Sequence, residues 1–423
     1  MQPTRRRFLV LALITVATAL NYIDRSVMGV AQPFLVRDLH ISPETMGVIF
    51  SAFSWTYVVA QIPGGMVLDR LGVRLTYALS LVLWSLSTLA HGLMTSVAGL
   101  VGARLALGAA EAPCFPANSR ILSTWFPQTE RARANASYAV GQYVGLGLLI
   151  PVLAWVAATF GWRMLFYVFG AVGILFGALW YATYRDPRES RRVNQAELDL
   201  IASGGAIAGG AVSTPFRWKS VGALLRRRQV LGASIGQFCG NSTLVFFLTW
   251  FPSYLVTERG MVWLKSGFAV SLPYIAASFG VLLGGTLSDW LIRRTGSPTL
   301  GRKLPIVTGL LLTATMIFAN YTSSNAWVIA IMSLAFFGQG MVNLGWTLIA
   351  DVAPRSMVGL TGGVFNLCAN LAGIVTPLVI GFVVGSTGSF YGALAYIATL
   401  GVIGAAAYIF ILGPVERIVM EAD

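Results

Sequence analysis

The chain has 423 residues, of which 56% are hydrophobic and only 11% are charged. A soluble protein of this length would form two or three domains with a far more charged surface, so the composition excludes that class. The formal net charge of +13 alone would suit a nucleic-acid-binding protein, but the distribution of the charge along the chain excludes that class too.

Apolar segments of about 20 residues recur along the whole chain, which is typical of membrane-spanning helices. We therefore predict an all-α polytopic membrane protein with twelve transmembrane helices in two six-helix halves. The predicted spans are 8–31, 45–68, 75–95, 97–119, 135–159, 163–184, 229–256, 266–289, 304–320, 326–349, 357–384 and 390–412.

A polar, basic, Gly/Ala-rich segment separates the two halves. The predicted organisation is an N-terminal six-helix bundle at 1–184, a linker at 185–228 with a short helix near 195–202, and a C-terminal six-helix bundle at 229–423.

Most of the 29 Lys and Arg residues lie at the two termini, in the linker and in every second loop. Lys and Arg are enriched in the cytoplasmic loops of membrane proteins. We therefore predict a multi-pass protein of a bacterial inner membrane, surrounded by the lipid bilayer, with both termini and the linker in the cytoplasm.

The first predicted helix contains an acid and a base side by side, in the string Asn21-Tyr22-Ile23-Asp24-Arg25. A charge at the bilayer centre costs about 2.5–3.5 kcal/mol, so such residues usually line an ion or substrate pathway. Neighbouring residues point about 100° apart on a helix, so Asp24 and Arg25 are expected to contact different partners. Tyr22 shares the face of Arg25. The alternative is a structural ion pair that locks two helices together.

The fourth predicted helix carries a second base and acid, Arg104 and Glu111, seven residues apart. They share one face, but a rise of about 10 Å makes direct contact between them unexpected. Pro113 and Pro116 favour a break after Glu111, or a simple bend. A carboxyl group among apolar side chains favours its neutral form, so Glu111 is predicted to carry a proton rather than a permanent charge.

The two halves repeat. Residues 65–70 match 285–290 at an offset of 220 residues, and the same offset aligns Asn21 with Asn241. Asp24 has no counterpart in the second half. Two homologous halves of six helices are typical of a transporter that alternates around a central site.

The repeated segment resembles the loop between helices 2 and 3 in the major facilitator superfamily. Its residues are Gly65, Asp69, Arg70 and Arg74, echoed as Gly285, Asp289, Arg293 and Arg294.

Within that superfamily, several strings resemble the anion:cation symporter family. The resemblance is closest to bacterial permeases for glucarate and galactarate, with galactonate and hexuronate carriers near behind. The strings are 21–25, 61–65, 103–104, 111–118, 124–127 and 247–252.

This resemblance implies a proton-coupled symporter that imports a sugar acid anion by alternating access. Arg25 is implied to hold the substrate carboxylate, to which a guanidinium group can bind through two parallel hydrogen bonds. Asp24 and Glu111 are implied to carry the coupling protons. Arg104 is predicted to tune or gate them by pairing with Asp24 when that acid is ionised. No cofactor other than the protons is expected.

Other polar residues complete the predicted substrate site. Tyr57 and Gln142 match positions that contact substrate in similar carriers, and Tyr22 shares the face of Arg25. Further candidates for contacts with the sugar are Asn241, Asn366, Asn370 and Trp346. For these, hydrogen bonding between helices and anchoring at the membrane interface are the alternatives.

Charged residues at cytoplasmic helix ends are predicted to gate the cavity through charge pairs that form and break during transport. They are Asp69, Arg70, Arg74, Asp289 and Arg293.

Nothing in the sequence indicates an enzyme or a metal site. The three cysteines are far apart in apolar segments. His40 and His91 are predicted near the outer surface, without partners at a useful spacing, and there is no P-loop. The driving energy is therefore expected to come from an ion gradient or from the gradient of the substrate itself.

Two other functions fit parts of the pattern. One is a carrier for another organic anion, such as an aromatic carboxylate or a small dicarboxylate, or an exporter of amphipathic drugs, although an exporter would favour an apolar cavity without Arg25. The other is a transporter-like receptor that binds a nutrient without moving it. We expect a monomer that binds a small organic anion and no nucleic acid.

Overall fold

The computed structural model describes residues 2–190, 192–205, 218–354 and 357–419. Within these ranges the chain is almost entirely helical and contains no β-strand, and the predicted all-α membrane fold is confirmed. Residues 191 and 206–217 of the predicted linker lie outside the described residues, while the short helix expected in the linker is present as α7. The helices are α1 (Arg6–Leu39), α2 (Pro43–Leu93), α3 (Val97–Glu111), α4 (Cys114–Trp125), α5 (Gln128–Phe160), α6 (Trp162–Thr183), α7 (Gln195–Ser203), α8 (Trp218–Leu225), α9 (Arg228–Thr249), α10 (Phe251–Ser253), a π turn (Tyr254–Glu258), α11 (Trp263–Thr295), α12 (Pro298–Ala314), a 3-10 turn (Thr315–Tyr321), α13 (Asn325–Val342), α14 (Gly345–Val352), α15 (Val358–Thr387), α16 (Tyr391–Ala406) and a second π turn (Ala407–Ile411).

The described residues contain eleven helical segments that are long and apolar enough to cross a membrane. One of them, α2, has 51 residues, and a helix of that length would measure about 77 Å, far more than a hydrocarbon core of about 30 Å. It is interrupted at Gly72, whose φ of 73° and ψ of 170° are not helical and are readily adopted by glycine. Because α2 supplies two spans, at 43–71 and 73–93, the described residues account for all twelve predicted spans.

Three of the predicted spans are divided into separate α-helices. The break expected near Pro113 is present, since α3 and α4 are separated by residues 112–113. The other two interruptions were not expected. The span predicted at 229–256 is divided near Pro252 into α9, α10 and a π turn. In the tenth span, residues 343–344 donate to carbonyls three residues back, which ends α13 without a proline.

The chain folds into two compact units. The first comprises Met1–Ile41 and Ala52–Val212, and the second comprises Ser42–Ser51 and Ser213–Asp423. The first ten residues of the α2 region therefore pack with the second unit. A Cβ added to Gly381 of α15 there would lie 2.6 Å from the carbonyl oxygen of Pro43.

One buried carboxylate fixes the linker helix α7 to the N-terminal residues in the first unit. Glu197 accepts hydrogen bonds from the Thr4 hydroxyl, the Arg6 amide at 3.0 Å and the Arg7 amide at 3.2 Å. The Arg7 guanidinium joins Glu197 at 3.2 Å and Glu130 at 2.9 Å. The N-terminus, α7 and the start of α5 are thus held at the same end of this unit.

Replacing Glu197 with glutamine is expected to lower the apparent free energy of unfolding by about 3 kcal/mol, because Arg7 loses a buried charged partner. Burial opposes ionisation of Glu197, but hydrogen bonds from Thr4, Arg6 and Arg7 hold its pKa below the ordinary value. A lowered pKa stabilises the fold above the ordinary glutamate pKa, and this stabilisation is lost as pH falls through the folded-state pKa.

Thermal unfolding in detergent tests this prediction. The midpoint of the wild type should fall more steeply than that of Glu197→Gln below about pH 4.3, the ordinary glutamate value. Glu189→Gln, at an exposed linker position, is the control and should behave like the wild type. Equal midpoints and equal pH profiles for Glu197→Gln and the wild type would contradict the role given to Glu197.

Candidate substrate and proton site

Arg25 of α1 forms a buried ion pair with Glu111, the last residue of α3. The Nη2 atom of Arg25 lies 2.9 Å from Oε2 of Glu111, and its Nε donates to the same oxygen at 3.0 Å. The side chain of Arg25 is 13% exposed and that of Glu111 is 0% exposed. The two residues were predicted to have separate roles, and their contact is not apparent from the sequence, in which they lie 86 residues apart. Loss of the charge on Glu111 would free a guanidinium group for another carboxylate.

Three aromatic rings surround the Arg25 guanidinium. Its central carbon lies 4.7 Å from the ring centroid of Phe53, 4.8 Å from that of Tyr57 and 5.0 Å from that of Tyr22. A desolvated cation over an aromatic face gains about 2 kcal/mol. The rings therefore stabilise and orient the cation independently of Glu111. We call Arg25, Glu111 and these three rings the Arg25 site.

Close packing of α2 against α3 brings Phe53 and Tyr57 to the Arg25 site. A Cβ added to Gly108 of α3 would lie 2.1 Å from the carbonyl oxygen of Phe53. Across the same interface, the Thr56 hydroxyl donates to the Leu105 carbonyl oxygen at 2.6 Å. The site can therefore have this geometry only if the residue at position 108 has no side chain, as is the case for Gly108.

Gly108→Ala is expected to destabilise the protein by about 1–3 kcal/mol, because a backbone atom of α2 has to move away. The same movement displaces Phe53 from Arg25, so substrate affinity should fall as well. Gly102→Ala is a matched control on α3, since its added Cβ meets nothing within 4 Å and alanine favours helix. Thermal midpoints and substrate affinities of the two variants check this. A Gly108→Ala protein that matches Gly102→Ala would show that the contact does not position the site.

Asp24 is buried beside Arg104 and the 73–93 segment of α2. The Trp84 indole and the Thr88 hydroxyl face its carboxyl group without forming an aligned hydrogen bond. Asp24 and Arg104 lie within electrostatic range of each other and of Glu111. Among the ion pairs of the described residues, however, none joins Asp24 to Arg104, so the predicted pair is not formed in this structure.

The other predicted substrate residues of the first unit also gather around Arg25. The Gln142 side chain of α5 lies beside the Tyr22 hydroxyl, and the Tyr57 hydroxyl lies beside the Arg25 guanidinium. Tyr22 packs edge-on against Phe115, with ring centroids 6.3 Å apart. Hydroxyl and amide groups thus flank one cation, which suits a ligand that carries both a carboxylate and hydroxyls.

The candidates in the second unit have partners of their own. The Asn241 amide donates to the Ala369 carbonyl oxygen at 2.7 Å. The Asn370 amide donates to Oδ1 of Asn366 at 2.8 Å. Trp346 is exposed. These contacts fit the structural alternative for the asparagines, and their role toward a substrate stays a prediction.

In the first unit, two of the predicted gating residues contact groups outside the predicted gating set. Asp69 pairs with Arg120 at 3.1 Å. Arg74 donates to the Tyr181 carbonyl oxygen at 3.0 Å. Arg70 forms no ion pair with the residues that the structure describes.

In the second unit, Arg302 of α12 lies between two acids, Asp289 at 3.5 Å and Asp351 at 2.8 Å. Arg293 forms no ion pair within the described part of the chain. Each of these charge pairs joins residues of a single unit, and gating stays a prediction.

His91 lies in the last turn of α2 and His40 follows the end of α1, so both are at helix ends, and their place near the outer surface stays a prediction. The side chain of His40 is exposed, whereas that of His91 is buried. His91 stacks on Phe166 of α6 with ring centroids 5.3 Å apart. Its spacing from Trp84 and Thr88, at i, i+4 and i+7, is the sequence signal that could have placed it on the face of Asp24. In the described residues, no cluster of three or more His, Cys, Asp or Glu could hold a metal ion.

A family model for the Major Facilitator Superfamily matches residues 14–346. The chain belongs to the major facilitator superfamily. It is a multi-pass membrane transporter and not an enzyme, as predicted.

Two relatives of this major facilitator protein are transporters from Escherichia coli. It is 41% identical over 431 residues to a probable galactarate/D-glucarate transporter of strain K12, with 99% of this chain and 96% of the relative covered. It is 41% identical over 426 residues to a D-galactonate transporter of Escherichia coli O6:H1, strain CFT073, with 99% and 98% covered. These relatives confirm the resemblance to sugar-acid permeases.

Solved structures confirm the fold. The crystal structure of a D-xylose-proton symporter superposes with a TM-score of 0.74 at 14% identity, covering 97% of this chain and 99% of the other.

Proposed function

We propose that the protein is a proton-coupled symporter that imports a sugar acid anion, either an aldarate such as glucarate or galactarate, or an aldonate or hexuronate. The observation that carries the proposal is the buried Arg25–Glu111 pair, beside a second buried acid, Asp24. Relatives described as galactarate/D-glucarate and D-galactonate transporters support the substrate class.

Competition for Arg25 would couple the proton to the substrate. Ionised Glu111 occupies the guanidinium, while protonated Glu111 releases it to the substrate carboxylate. The arginine then faces one negative group in either state, so neither state leaves an unpaired charge in a low-dielectric site. If Glu111 remained ionised beside Arg25, its negative charge would repel the incoming anion.

Asp24 provides a second protonation site within the electrostatic range of Glu111. Its protonation lowers the negative charge near Arg25 and favours anion binding. Tyr22, Tyr57 and Gln142 would bond the substrate hydroxyls. The alternating motion of the two halves would then carry the loaded site across the membrane.

The positive loops support a bacterial inner-membrane location with both termini in the cytoplasm. The contact of Arg7 with Glu197 and Glu130 is consistent with this placement, since it brings the N-terminus, the linker helix and the start of α5 to one end.

Uptake into proteoliposomes with an alkaline interior tests the proposal. Labelled glucarate, galactonate and glucuronate are compared with and without a protonophore. Protonophore-sensitive accumulation of one of these acids is expected. Accumulation of an aromatic carboxylate or a small dicarboxylate instead, with none of the sugar acids taken up, would refute the substrate class.

A further inference from the structure

A row of polar side chains on α2 extends from the position facing Asp24 toward the end of this helix. The proton coupling proposed above does not involve them. Trp84, Thr88 and His91 lie at i, i+4 and i+7 of one helix and therefore share a face. All three are buried. Nε1 of Trp84 and Oγ1 of Thr88 face the Asp24 carboxyl group without an aligned hydrogen bond, and Nε2 of His91 has no hydrogen-bond partner among the described residues. Because buried polar groups are normally satisfied, such a row requires an explanation.

His91 presents a hydrogen-bond acceptor to this row. Its Nδ1 lies 2.7 Å from the carbonyl oxygen of Ser87. A carbonyl only accepts, so Nδ1 carries the proton and Nε2 of the neutral ring is the acceptor. Stacking on Phe166 fixes the plane of the ring.

Arg104 presents a donor to the same region. Its guanidinium group lies within electrostatic range of both His91 and Asp24. Its Nε–H group is buried without a hydrogen-bond partner among those residues. From α6, two uncharged side chains contact this end of α2: Phe166 stacks on the His91 ring, and the Tyr167 hydroxyl donates to the Gly92 carbonyl oxygen at 2.9 Å.

We propose that Thr88, His91 and Arg104 line a hydrated passage through which protons reach Asp24 from the end of the first unit opposite the loop at 69–74. This inference rests on the proton coupling proposed above. Water is retained in protein interiors where it can bond two to four polar groups, and an acceptor, a hydroxyl and a guanidinium N–H offer such bonds.

The proton transfers balance without any other reactant. A hydronium ion gives its proton to Nε2 of His91, and a new N–H bond replaces an O–H bond. The same nitrogen returns the proton to the next water molecule toward Thr88, and the Asp24 carboxylate finally accepts it and becomes neutral. The nearby Arg104 repels an imidazolium cation, which favours rapid release over storage.

His91→Phe and Thr88→Val test the passage, because each keeps the approximate shape of the side chain and removes the relay atom. Ser87→Ala, on the same helix and half-buried, is the control. Two assays are run on each protein: uptake driven by a pH gradient, and counterflow of labelled substrate at equal pH. Counterflow exchanges substrate without requiring net proton entry.

The expected result is a fall of about tenfold in the initial rate of gradient-driven uptake for both variants, with counterflow within about twofold of the wild type. Wild-type uptake by both variants would overturn the passage. A parallel fall in both assays would overturn it too, since a structural role lowers both together. If the intact wild type shows no protonophore-sensitive accumulation, the proposed function itself fails, and the passage falls with it.

Discussion

Glu111→Gln is expected to abolish accumulation of the sugar acid driven by a pH gradient, while substrate binding and counterflow persist. Glutamine keeps the size of the side chain, and its carbonyl oxygen can still accept a hydrogen bond from Arg25. It cannot exchange a proton, and it no longer holds the guanidinium by charge. The substrate can therefore reach Arg25 at any pH, but its movement is uncoupled from the gradient.

Parallel uptake and counterflow assays in proteoliposomes check this result. Gradient-driven accumulation should fall by about a hundredfold, which is the scale on which a positioned acid or base contributes. Asp24→Asn tests the second acid in the same way, and Glu189→Gln serves as the exposed control. A Glu111→Gln protein that accumulates substrate like the wild type would refute the assignment of the coupling proton.

Arg25→Lys is expected to weaken binding of the sugar acid by about a hundredfold, close to 3 kcal/mol. Lysine keeps the positive charge, so the loss of affinity measures what the geometry of the guanidinium group contributes. An ammonium group cannot bind a carboxylate through two parallel N–H bonds, and its strong hydration opposes transfer into the enclosure of Phe53, Tyr57 and Tyr22.

Equilibrium binding to the purified protein measures this effect. Arg37→Lys is the matched control, because the side chain of Arg37 is 75% exposed in a surface pair with Asp38 and such pairs contribute little. If Arg25→Lys binds the substrate as tightly as Arg37→Lys does, charge alone is sufficient and the carboxylate is not held in the way proposed.

A charged residue in a membrane-spanning segment is energetically unfavourable, so the charged residues of the site can be identified in the sequence. Asp24, Arg25, Arg104 and Glu111 stand out in apolar segments, and the structure brings them together in the first unit. The number of spans follows from hydrophobic length in the same way. Both inferences rest on local properties of the chain.

The pairing within the site depends on tertiary packing and could not be read from local patterns. Arg25 and Glu111 are 86 residues apart in sequence, and their contact requires a particular approach of α1 to the end of α3. The close contact at Gly108 that places Phe53 depends equally on how α2 meets α3. Hydrophobic spacing indicates that helices pack, but it does not specify which faces meet.

Single polar residues in the helices illustrate the same limit of local patterns. Asn366 and Asn370 share a face, as their spacing predicts, but they bond each other. Asn241 bonds a backbone carbonyl. A single asparagine has the same local sequence pattern whether it binds a ligand or a neighbouring helix. A buried charge costs much more free energy, so a purely structural role is rarer for it.

The central claim is that Glu111 and the substrate carboxylate alternate on Arg25. The pH dependence of substrate affinity in wild type and Glu111→Gln tests this most directly. Affinity of the wild type should weaken as pH rises, by up to about tenfold per pH unit for each linked proton, and Glu111→Gln should lose the contribution of one proton. An unchanged pH slope in Glu111→Gln would contradict the claim.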